Sequence, residues 1–84
     1  MTYLVIELQT NAEGSVANIV TAYTDRNQAE SKYHLILTSA AVSSIPTHAA
    51  AIFTNEGQLL ERHVYHHAIP EVEPEVEPEE NGEA

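Results

Sequence analysis

Cysteine and tryptophan are absent from this 84-residue chain, and glycine occurs only three times. Without cysteine, neither a disulfide framework nor a thiolate metal site can hold the chain together. Basic residues are nearly as scarce: Arg26, Lys32 and Arg62 are the full set. Phosphate affinity rests on clustered Lys and Arg, so direct nucleic-acid binding is not expected. No apolar run approaches the roughly 20 residues needed to cross a bilayer, so no membrane partner is expected. The opening "MTYLVIELQT" has no basic flank and meets Glu7 early, unlike a secretory signal. The expectation is a soluble, cytoplasmic chain.

What is abundant is acid. Thirteen Asp and Glu give a formal net charge of −10, unevenly spread. Residues 1–70 hold six acids and three bases, for −3, whereas the seven glutamates after Pro70 contribute −7 with no base among them. The composition therefore divides the chain into a body, 1–69, and an acidic Glu/Pro/Val segment, 70–84.

Apolar periodicity organises the body. "YLVIELQT" alternates, with Leu4, Ile6 and Leu8 on one side and Tyr3, Val5, Glu7 and Gln9 on the other, as in a half-buried strand. "NAEGS" offers Asn11 and Gly14 for a tight turn, and "VANIVTAY" is β-branched and aromatic enough to pair back. At "YTDRNQAE" the period changes. Thr24 or Asp25 can cap a helix, with Gln28 completing a capping box after Asp25. Ala29, Tyr33, Ile36, Leu37 and Ala40 then fall on one helical face, and the helix should end between Ser39 and Val42. Ile45 precedes proline and is pushed to extended geometry. "HAAAIFT" and "QLLERHVYHH" flank "NEG" as a second hairpin, whose turn echoes the first. Common turn chemistry accounts for that echo without an internal repeat.

The expected fold is α+β: two β-hairpins flanking one α-helix (ββαββ), in two layers, with a disordered acidic C-terminal tail. One helix cannot cover both faces of such a sheet. Tyr3, Val5, Val20 or its neighbours, Phe53 and Leu59 are expected to include an uncovered face, best covered by a second copy. A homodimer through that face or an edge strand is the expected partner state.

"HVYHH", residues 63–67, concentrates three of five histidines. Zinc needs three or four ligands around one point. On a strand, His66 and His67 face opposite ways, and His63 and His67 lie about 13 Å apart. His48 could join across the hairpin. A three-residue turn at 55–57 sets it opposite Val64, whereas a two-residue turn sets it opposite Tyr65. His48, His63, His66 and His67 remain the metal candidates, with no acidic or cysteine ligand completing a set, and no cofactor is expected. The same histidines would also gain charge on mild acidification.

Ser43, Ser44 and His48 lie close in sequence, and Asp25 could complete a hydroxyl–imidazole–carboxylate set on paper. No nucleophile elbow, P-loop or dinucleotide fingerprint accompanies them, and a non-enzyme is expected. "EVEPEVEPEE" places proline every fourth residue, which forbids a helix and favours an extended, polyproline-II-like chain. Such a segment solubilises. Through Glu71, Glu73, Glu75 and Glu77 it could also dock on a basic protein, or imitate nucleic-acid phosphates and block a host DNA- or RNA-binding factor.

The stretches "MTYLVIELQT", "AYTDRNQAESKYH" and "AAVSSIPTHAA" resemble short proteins of Gram-positive gut bacteria and their prophages. The resemblance covers residues 1–67. Those proteins are uncharacterised, so it carries over no active-site residue. It implies a small accessory protein in a phage-like context. The functional expectation is an interaction or assembly module that self-associates, with an acidic inhibitor and a weak histidine metal binder as the alternatives.

Overall fold

The structure, a computed structural model, describes residues 1–68. The acidic segment and its candidate residues Glu71, Glu73, Glu75 and Glu77 lie outside the described residues. In chain order come β1 (Tyr3–Thr10), β2 (Val16–Tyr23), α1 (Arg26–Ala41), β3 (Thr47–Thr54) and β4 (Leu59–His66). The fold is α+β, a four-stranded antiparallel sheet with one helix across one face.

In space the hairpins do not flank the helix. The strand order is β2-β1-β3-β4, so the two hairpins meet edge to edge through an antiparallel β1–β3 ladder. All eight residues of β1 find partners in β3, from Tyr3 opposite Thr54 to Thr10 opposite Thr47. Because β1 is antiparallel to both, β2 and β3 run parallel with β1 between them, and α1 is the crossover that joins them.

Local chemistry sets the turns. The Asn11 side-chain oxygen accepts from the backbone N–H of Glu13 and of Ser15, and the Gly14 N–H donates to the Asn11 carbonyl. In the second hairpin the Thr54 hydroxyl accepts from Glu56 and Gln58, while the Gly57 N–H donates to the Thr54 carbonyl. Both glycines take the positive φ that closes such turns, 90° and 86°. The two turns therefore align Asn11 with Thr54. Asn55 instead accepts from the Thr2 N–H. The echo is one of chemistry, not of repeated residues.

The second turn also decides a register. Near it, Phe53 faces Leu59, as a three-residue turn requires, but farther out Ile52 faces Glu61 and His48 faces Tyr65. A β-bulge inserts Leu60 between these pairs and packs it against the core. The three-residue turn is present, yet the register expected from it is shifted by one.

Asp25 caps α1 by accepting from the Asn27 N–H at 3.0 Å, in extended geometry. The face read from the sequence is the buried one: Ala29, Tyr33, Ile36 and Ala40 are buried and Leu37 packs beside them. α1 lies mainly on β3 and β1. Val5, Ala50 and Ile52 complete the core beneath it.

Candidate functional site

The ladder assigns every strand residue to a face. Under α1 lie Val5, Glu7, His48, Ala50 and Ile52. On the opposite face Leu4 stands between Ala22 and Phe53, Ile6 between Val20 and Ala51, and Leu8 between Asn18 and Ala49. Leu59 lies beside Phe53, and Val64 beside Ala49. Arg62 and His66 are the titratable groups on this face. Among the described residues nothing packs on it.

Of the five body positions expected at an uncovered face, Val20, Phe53 and Leu59 lie there. Tyr3 and Val5 do not: both are on the covered face, Val5 only 1% exposed and Tyr3 packed against the core. Alternation shows which residues share a face but not which face receives the helix. β1 turns its leucines and isoleucine outward and places Val5, Glu7 and Gln9 inward. The more apolar side of β1 is the one α1 leaves open, with Leu8 37%, Val20 53% and Leu59 46% exposed.

Three polar residues of the covered face, Glu7, Gln9 and His48, belong to one network. His48 is 3% exposed, its Nε2 2.6 Å from Glu7 Oε2 and its Nδ1 3.1 Å from Ser43 Oγ. Gln9 Nε2 donates to the same carboxylate oxygen at 2.9 Å. An ionised carboxylate only accepts, so Nε2–H is the donor to Glu7; in the neutral ring, Nδ1 then accepts from the Ser43 hydroxyl. Burial pushes the Glu7 carboxyl up. The hydrogen bonds from Gln9 and His48, with electrostatic attraction from the His48 and Lys32 side chains, outweigh it and hold the group below its ordinary value.

Ser43 and His48 thus meet, but the carboxylate with them is Glu7, not Asp25, which caps the other end of the helix. Sequence reading missed Glu7 because it lies 41 residues from His48 and only the β1–β3 pairing unites them. Ser43 Oγ also accepts from the Ile45 N–H at 3.4 Å. A nearby groove of about 440 Å³ is lined by Gln9, Ser44, Ile45 and Pro46, among others, but by neither Ser43 nor His48.

The remaining histidine candidates go to separate destinations. His63 is exposed and meets Tyr65 edge-on, with ring centroids 4.7 Å apart. His66 lies on the open face, 3.5 Å from the Thr47 hydroxyl. His67 donates from Nε2 to the Ala40 carbonyl at 2.8 Å, and its N–H donates to Pro46 O at 2.7 Å, tying the end of β4 to the end of α1. Among the described residues no three His, Cys, Asp or Glu side chains converge as metal ligands. No helix among them is long and apolar enough to cross a membrane.

No family model matches the chain, and no curated protein or solved structure is significantly similar to it.

Proposed function

We propose that this chain is a small non-enzymatic interaction and assembly module whose open sheet face takes a second copy of itself. One observation carries the reading: the helix covers the side of β1 that holds Glu7 and Gln9 and leaves Leu4, Ile6 and Leu8 in the open. Four strands of eight residues make a face of roughly 19 Å by 26 Å at ordinary strand spacing, a footprint on the order of 500 Å². Two such faces stacked about 10 Å apart remove on the order of 1,000 Å² from water, about the lower limit of a specific interface. A smaller or more charged face would not reach it.

Light scattering during gel filtration at tens of micromolar tests the reading. The expected mass is at least twice that of one chain, and Leu8→Lys, which puts a charge on the open face, lowers it. A wild-type mass of one chain overturns the proposal.

The glutamates after Pro70 support a second reading, in which the chain docks on a basic protein and blocks its nucleic-acid groove. Capture of such a partner by the full chain, and its loss on truncation after residue 69, supports that reading. Equal capture by both forms removes it.

A further inference from the structure

We infer that the β2 edge is a second self-association surface, pairing antiparallel with β2 of another copy to continue the sheet. The argument is independent of the open face and begins with the contrast between the two sheet edges. β4, at one edge, carries Glu61, Arg62, His63 and His66, the kind of charged edge that resists added strands. β2, at the other, is "VANIVTAY": eight residues with no charge, no proline and no glycine. A long, uncharged, β-branched edge with free backbone donors and acceptors is a template for strand addition. α1 sits mainly over β1 and β3; on the helix side of this edge Tyr23 packs against the core, but Ile19 is left 53% exposed.

Electrostatics selects a second copy as a compatible occupant despite the charge of −10 on each chain. β2 itself is neutral. The seven terminal glutamates follow β4, at the far edge of the sheet. Pairing through β2 separates the two β4 strands by seven strand spacings, roughly 34 Å. That is about four Debye lengths at physiological salt, so charge carried on one β4 strand is screened from the other. Among the described residues only one sheet edge is uncharged, so the contact closes at two copies instead of running on as a fibre.

Symmetry together with full strand overlap leaves two registers. An antiparallel edge pair related by a two-fold axis perpendicular to the sheet keeps both helices on one face, so opposed residues must share parity. The strand centre falls between Ile19 and Val20, and one of these two must therefore face its own symmetry mate. Ile19 opposite Ile19 covers the helix-side edge, and Val20 opposite Val20 extends the open apolar face.

The test uses full-length chains, whose lack of cysteine leaves no competing thiol. Ile19→Cys and Val20→Cys are oxidised separately, with His63→Cys on the β4 edge as control. A disulfide dimer from at least one β2 variant, formed at least tenfold faster than from the control, is expected. Rates equal to the control for both overturn the inference. Sedimentation equilibrium separates this surface from the open face. Leu8→Lys, placed on the open face, is expected to leave an edge-paired dimer, and adding Ile19→Lys reduces it to one chain. If Leu8→Lys alone is already a single chain, the edge inference fails while the face reading stands. If Ile19→Lys lowers the mass and Leu8→Lys does not, the reverse holds.

Discussion

Glu7 Oε2 and His48 Nε2 lie 2.6 Å apart, joined across the β1–β3 ladder between two hairpins that are distant in sequence. The pair, with Gln9 and Ser43, lies beside the apolar core of Val5, Ala50 and Ile52. His48 is buried, and its two ring nitrogens are both engaged, by Glu7 and Ser43. The network satisfies polar groups that the covered face would otherwise bury without partners.

Breaking that pair leaves a buried polar group without its partner. Glu7→Ala and His48→Ala are each expected to lower unfolding free energy by about 1–3 kcal/mol. The double variant is expected to lose less than the sum, since residues of one network couple by about 0.5–3 kcal/mol. Urea unfolding of the four proteins measures this, and additive losses would show that the contact carries no coupling.

Glu7 also sets a pH dependence. Its folded pKa lies below the ordinary value of 4.5. The stability it contributes is therefore present above about pH 4.5 and is lost as pH falls through the folded value. Thermal midpoints of the wild type should fall more steeply with acidification below that point than those of Glu7→Gln. Parallel profiles for the two proteins would contradict the assignment.

The bulge at Leu60 makes a different forecast. Deleting Leu60 removes the extra residue but preserves Phe53 opposite Leu59 and Ile52 opposite Glu61. The sheet is expected to keep its pairing and to lose only the contact of one half-buried leucine side chain, less than the roughly 1.5–3 kcal/mol of a fully buried one. Cross-strand nuclear Overhauser contacts between Ala50 and His63 report the register. Their disappearance in a folded deletion variant would contradict it.

Gly57 isolates a backbone effect. A Cβ there would meet nothing within 4 Å, yet φ is +86°. Gly57→Ala is expected to cost about 1–2 kcal/mol from conformation alone. Asp25→Ala, which removes the N-cap acceptor, should cost about 0.5–2 kcal/mol. Denaturant midpoints measure both, and an unchanged midpoint for Gly57→Ala would show that the second turn tolerates another geometry.

Elements and local contacts were legible in the sequence wherever the controlling interaction is local. The apolar spacing of Ala29, Tyr33, Ile36, Leu37 and Ala40 predicts the buried side of α1, and Asp25 predicts its start. Gly14 and Gly57 mark both turns. The histidines read less well, since a ring's destination depends on what lies across the sheet. His67 reaches the end of α1 and His48 reaches Glu7, and neither pairing has a short-range signature.

By itself the sequence determined two hairpins, a capped amphipathic helix between them, and a neutral β2 strand in a chain whose acid is concentrated at one end. It did so because hydrogen bonding and side-chain periodicity within a few residues decide those features. Only the tertiary structure decided that β1 joins β3, that Leu60 bulges, and that Val5 rather than Ile6 lies beneath the helix. The β1–β3 ladder depends on pairs 37 to 51 residues apart, the bulge on a core that takes up Leu60, and the choice of face on which side the packed layer covers. A period of two is the same on either side of a strand, so the open apolar face became visible only once α1 had taken the other.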